Sequence, residues 1–146
     1  MDTGKMRAVW CLFLVTLATV YAGNVKVEYV DIPKDYIPAV EKASFECIKK
    51  LKLEEEQISL QGFLNWELSE SDNTKKYIFC LANGSGFFAD DGSILKDKVL
   101  AIMGKYRDRV DKVIDECSKV KYDNKYEEVY RMEVCFRDLS GLYFRM

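Results

Sequence analysis

The 146-residue sequence predicts an all-α domain. Three observations carry that prediction. Apolar residues recur at helical spacing along most of the chain. The two prolines, Pro33 and Pro38, stand near the start of the fold, so everything after them is free of the strongest helix breaker. Alternation of the strand type is weak, and Lys26–Tyr29 is the one candidate strand.

The elements follow in order. Residues 1–22 read as a secretory signal: Lys5 and Arg7 precede an apolar run of 13 residues, 8–20, and Val20-Tyr21-Ala22 puts small residues before a cleavage point. A run of that length is too short to cross a bilayer, which takes about 20 apolar residues. The domain is then 23–146. Val40, Phe45, Ile48 and Leu51 predict a first helix over about 35–52. Glu54, Glu55 and Glu56 suit the positive end of a second, about 54–66. Tyr77, Cys80 and Leu81 share a face of a third, about 71–84. Ser93 is a candidate N-cap for a fourth, about 94–104, with Leu95, Val99 and Ile102 as its stripe. Val110, Val113, Ile114 and Cys117 define a fifth, about 107–120. Asn124 caps a sixth, about 125–139, carrying Val129, Tyr130, Met132 and Cys135.

Charge and composition exclude several classes. Removal of Asp2, Lys5 and Arg7 with the signal turns 22 basic and 24 acidic residues into 20 and 23. Such a chain has no basic stripe for a phosphate backbone, so nucleic acid is not a predicted partner. The sequence has no histidine, which removes Ser-His and Cys-His nucleophiles and His-based zinc sites. Asp90-Asp91-Gly92 fails as a calcium loop. With Gly92 at position 6, positions 1, 3 and 12 fall on Phe87, Ala89 and Lys98, which carry no suitable oxygen. An Asp-Gly turn is the plainer reading. Neighbouring carboxylates such as Glu127 and Glu128 point to different sides of a helix and make a poor acid–base pair. Neither catalytic residues, nor a metal site, nor a cofactor is predicted. Asn83-Gly84-Ser85 fits the glycosylation sequon, but a helix-terminal turn using Gly84 competes with that reading.

Loss of Cys11 with the signal leaves Cys47, Cys80, Cys117 and Cys135, an even count that reads as two disulfides in a secreted, extracellular chain. The intervening stretches are 32, 36 and 17 residues, and spacing alone leaves three connectivities open. The whole domain resembles the insect odorant-binding proteins of the pheromone and general odorant-binding type. The resemblance rests on the four cysteines, Tyr77 before Cys80, Leu81, Gly86-Phe87-Phe88, and Asp91-Gly92 before a helix. That family usually has six cysteines. Its second and fifth would fall on Lys76 and Tyr126, so the chain resembles the branch lacking both.

The resemblance implies pairing of Cys47 with Cys80 and of Cys117 with Cys135. In the chain-entropy model each loop would contribute roughly 3–4 kcal/mol. It also implies a looser cavity than a third bond would allow. The fold becomes about six short helices around an internal apolar cavity, stapled by two disulfides. The implied partner is a small hydrophobic ligand, with a membrane odorant receptor as a further candidate, and the carrier is a monomer or weak homodimer.

Core packing competes with ligand contact at every apolar position. The predicted ligand-binding set is Leu81, Phe88, Leu95, Val99, Met103, Tyr106, Val110, Ile114, Tyr130, Val134 and Tyr143, with the phenols of Tyr106 and Tyr130 as polar anchors. Phe88 is expected inward and Phe87 outside, since neighbours in an extended loop face opposite ways. Leu142, Tyr143 and Phe144 can fold back over the cavity or fray. Without histidine, any acid-dependent release has to run on a carboxylate of raised pKa, such as one under that tail. A secreted helical signalling protein without a cavity, and a small carboxylate hydrolase, are the alternative readings.

Overall fold

The computed structural model describes residues 25–146. The signal reading of residues 1–22 and the start of the domain at residue 23 lie outside them. Six α-helices, a 3-10 turn and a pair of short strands make up the described chain.

Helix α1 spans Ile37–Leu51, with Pro38 in its first turn, where a missing N–H costs nothing. It ends at Lys52, whose left-handed φ of 57° sends its N–H back to Ile48 and Lys49. Its buried face is Val40, Ala43, Ser44 and Cys47, an i, i+3, i+4, i+7 set. Phe45 departs from expectation: it falls off that stripe and is 64% exposed, with the Lys49 ammonium 5.6 Å from its ring centre.

Helix α2 spans only Leu60–Leu64. The three glutamates expected to start it lie in the preceding turns, because Ser59 takes the cap and its Oγ accepts from the Gly62 N–H at 3.0 Å. Charge alone satisfies no free N–H, whereas a serine oxygen does. Helix α3, Asp72–Gly84, starts at Ser71, whose Oγ accepts from the Thr74 N–H at 3.1 Å.

Helix α4, Lys96–Ala101, begins later than predicted. Ser93 does not cap it. Its N–H and hydroxyl both donate to Asp91 Oδ1, making an Asp-centred turn around Gly92, φ 89°. These bonds also hold the Asp91 carboxyl below its ordinary pKa. A 3-10 turn, Gly104–Tyr106, leads into α5, Arg107–Cys117. Helix α6, Lys125–Ser140, starts where Asn124 Oδ1 accepts from the N–H groups of Tyr126 and Glu127. It stops at Gly141, φ 67°, where a Cβ would come within 2.7 Å of the Lys26 carbonyl.

The strand signal at Lys26–Tyr29 corresponds to β1, Glu28–Asp31, shifted along the chain. It pairs in parallel with β2, Leu142–Arg145, so the chain tail is an ordered strand rather than a frayed end. No local pattern marks β2, because its partner lies at the opposite end of the fold.

Helix α3 runs between α1 and α6. On the α1 side, Cys47 is bonded to Cys80 and the Tyr77 hydroxyl meets Ser44 Oγ at 2.8 Å. Gly84 lies against Ala43: a Cβ there would stand 3.2 Å from the Ala43 methyl. Its φ is not positive, so it serves close packing, and the left-handed residue of the following turn is Gly86, φ 82°. On the α6 side, Phe79 meets Tyr126 edge-on, with ring centres 5.2 Å apart, and Lys75 pairs with Glu127 at 2.5 Å. Cys117 is bonded to Cys135, joining α5 to α6. Lys96 ties α4 to α5 through Asp111 and Asp115.

Tyr77 and Ser44 are both buried and serve each other. Tyr77→Phe should therefore cost about 1–3 kcal/mol by stranding the serine hydroxyl. Adding Ser44→Ala should recover part of that loss. Urea unfolding of the two single variants and the double variant measures the coupling.

Candidate functional site

The six α-helices and β2 each send an apolar side chain to one cavity. Val40 of α1, Phe63 of α2, Leu81 and Ala82 of α3, Val99 of α4, and Ile102 just after it line it. Ile114 of α5, Met132 and Phe136 of α6, and Phe144 of β2 complete the wall. The cavity offers about 90 Å³ to the centres of water molecules. One water needs about 10–15 Å³ by that measure, so the space suits a compact molecule on the order of ten heavy atoms.

The phenylalanine loop forms part of the wall. The Phe87 N–H bonds to the Ala82 carbonyl and its carbonyl accepts from Leu95. Phe88 pairs across the Asp91-Gly92 turn with Ile94 and is 3% exposed. Both rings border the cavity, so Phe87 is not simply outside. It separates the cavity from an outer depression and stacks on Tyr36, ring centres 6.4 Å apart. The Asn83 amide donates to Phe88 O and to Asp90 Oδ1, so its nitrogen already works within the loop. That favours a turn-holding role over a glycan at the sequon.

The structure brings Leu81, Phe88, Val99 and Ile114 of the predicted set to the cavity and leaves the other seven off it. Met103 and Val110 are buried in the surrounding core. Leu95 precedes α4 and is half-buried. Tyr106 lies beneath Lys105 and Arg109, and Tyr130 beneath Lys75 and Arg131. Val134 is turned away from the Val129–Met132–Phe136 stripe of its helix. Tyr143 points to the other face of β2 from Phe144 and packs on Tyr29.

The polar groups on the wall are not the predicted phenols. They are Ser85 and Glu133. Ser85 follows α3, and its buried Oγ has no hydrogen-bond partner among the described residues. Glu133 is half-buried and borders the cavity. Burial among apolar atoms is the one cause that moves its carboxyl, which is pushed up to about 7. Sequence reading passed over Glu133, although a signal was present. It stands four residues after Val129 and three before Phe136, a carboxylate on an apolar stripe at helical spacing. It is also the carboxylate of raised pKa near the tail that acid-dependent release would require, since Phe144 shares its cavity.

A comparison with family models matches residues 31–138 to the PBP/GOBP family. The chain belongs to that family. A crystal structure of a Locusta migratoria odorant-binding protein has the same fold, at 16% identity and a TM-score of 0.58. The match covers 74% of this chain and 84% of the locust one. A search of curated proteins finds no match. The two disulfides, Cys47–Cys80 and Cys117–Cys135, are the pairs that the resemblance implied.

Glu133 makes stability depend on pH. Its folded pKa, about 7, stands above the ordinary 4.5, so the folded state holds the proton more tightly than the unfolded state does. The protonated form folds without penalty below the ordinary value, and stability falls as pH rises through about 7. At about 1.4 kcal/mol per pH unit, and with cavity water reducing the effect, the loss is roughly 1–3 kcal/mol. Glu133→Gln should recover that amount at pH 8 and nothing at pH 4. Paired urea titrations across this range should show the two curves converging in acid; parallel curves would remove Glu133 as the cause.

Proposed function

We propose that the protein is a secreted, non-enzymatic carrier that holds a small apolar ligand in this cavity and moves it through extracellular fluid. The observation that carries the reading is a single apolar chamber to which every helix and the tail strand contribute. A molecule with one aromatic ring's worth of apolar surface, about 150–250 Å², gains roughly 4–6 kcal/mol on burial there, before the cost of lost motion. Selectivity among similar hydrocarbons is modest in such a site, since one methylene is worth only about 1–3 kcal/mol.

PBP/GOBP membership and the odorant-binding name of the locust protein support odorants or related lipophilic compounds as the ligand class. No helix among the described residues is long and apolar enough to cross a membrane, which suits a carrier in fluid. The cavity wall offers one carboxyl and no second carboxyl beside it, a poor arrangement for hydrolysis. The helical signalling alternative needs no chamber, and so the chamber counts against it. An odorant receptor in a membrane is a further partner consistent with the reading.

Titration with an environment-sensitive apolar fluorophore tests the proposal. The expected result is saturation near one probe per chain, with displacement by some volatile compounds and not others. Val99→Phe should fill the chamber and weaken probe binding at least tenfold while the far-ultraviolet circular dichroism stays unchanged. Unsaturable binding by oxidised, delipidated protein would favour the signalling reading.

A further inference from the structure

We propose that Glu133 makes the cavity a site for lipophilic amines, with the ligand's ammonium group set against the carboxylate and its hydrocarbon part against the apolar wall. The inference rests on the carrier reading and adds the ligand's polar chemistry.

Among the described residues, Glu133 is the sole acidic or basic side chain on the cavity wall. It makes no hydrogen bond or ion pair with the described residues, and no neighbouring charge contributes to its pKa. The charged and phenolic groups of the elements packed against α6 are committed elsewhere. In α3, Lys75 is held by Glu70 and Glu127, and Tyr77 by Ser44. In α5, Asp111 and Asp115 hold Lys96, and Arg109 holds Glu28. In β2, Arg145 holds Asp31 and Tyr143 packs on Tyr29. The remainder of those elements' charges, Asp72, Lys76, Arg107, Asp108, Lys112 and Glu116, are exposed. On α6 itself, Arg137 pairs with Asp138 and lies over Trp66. The described residues therefore supply no cation to this carboxylate.

A carboxylate buried without a partner is costly, and a cation that arrives with the ligand removes that cost. An ammonium also brings three donors. A hydrocarbon brings none. An alcohol brings one donor and no charge. The proton balance is simple: an amine arrives protonated, and any proton still on Glu133 passes to solvent as the pair forms.

Calorimetry with three compounds of matched size tests the idea: propylbenzene, 2-phenylethanol and 2-phenylethylamine. The disulfide-bonded protein is taken from a secreting host expressing the full chain. At pH 8 the amine should bind at least tenfold more tightly than propylbenzene and more tightly than the alcohol. Glu133→Gln should abolish that preference, lowering amine affinity at least tenfold at pH 8. Independently of any variant, amine affinity of the unaltered protein should fall at least tenfold between pH 8 and pH 5.5, and propylbenzene affinity should not fall. An amine no tighter than propylbenzene, a preference that survives Glu133→Gln, or an alcohol bound most tightly would each overturn the inference. In those cases saturable propylbenzene binding would leave the carrier reading standing. If none of the three compounds saturates, the carrier reading fails and the amine inference with it.

Discussion

The junction of α3 with its two neighbours is the constraint on which the remaining structure depends. Helix α3 is held to α1 by a covalent bond, a buried hydroxyl pair and a close backbone approach within about two turns. None of these tolerates sliding. The Cys47–Cys80 bond fixes the distance, the Tyr77–Ser44 pair fixes the rotation, and Gly84 sets how near the two helices come. With α3 anchored, Leu81 and Ala82 are aimed at the interior, and the loop that follows must begin where Phe87 and Phe88 complete the wall.

The other side of α3 is held differently. Lys76 and Tyr126 stand where a third disulfide would join α3 to α6 in the commoner six-cysteine pattern. Here an edge-on Phe79–Tyr126 contact and the Lys75–Glu127 pair, extended by Arg131 and Glu70, occupy that junction. Such contacts break and reform, whereas a disulfide does not. Surface ion pairs contribute little each, and an aromatic pair contributes roughly 0.5–1.5 kcal/mol beyond its burial. Helix α6 carries Met132, Glu133 and Phe136 into the cavity; Cys135 ties it covalently to α5, and only its junction with α3 is held by reversible contacts.

Much of this was legible before any coordinates. Helical spacing located five of the six helices, a run of glutamates pointed to α2 although Ser59 starts it, and Asn124 caps α6 as such a residue does. The misreadings have local causes. Ser93 looked like a cap because a serine before an apolar stripe usually is one, but the nearer Asp91 captured both of its donors. The tail strand was illegible because its ladder is formed with β1, from the other end of the chain. Phe45 fitted a stripe of apolar residues by type while missing it by angle. The cavity residues were harder still. Spacing shows which side of a helix is apolar, not whether that side meets another helix or a space. Met103, Val110 and Ile114 all belong to the interior, yet only Ile114 reaches the chamber.

Glu133 shows how a sequence can carry a functional signal inside a structural one. On an amphipathic helix, apolar residues on the buried face are uninformative, since core packing explains each of them. A carboxylate on that face has no such explanation. It either meets a partner from another element or faces a space that can hold one. The four disulfide cysteines explain the staples, and ion pairs explain the other acidic groups of α6, Glu127, Glu128 and Asp138. Glu133 is left with an apolar chamber on one side and protein atoms on the others, a position that raises its pKa toward neutrality. Retaining an unpaired carboxyl there costs stability at neutral pH, whereas leucine at the same position would cost none. The cost makes physical sense if the group that pairs with Glu133 is brought by the molecule the chamber carries.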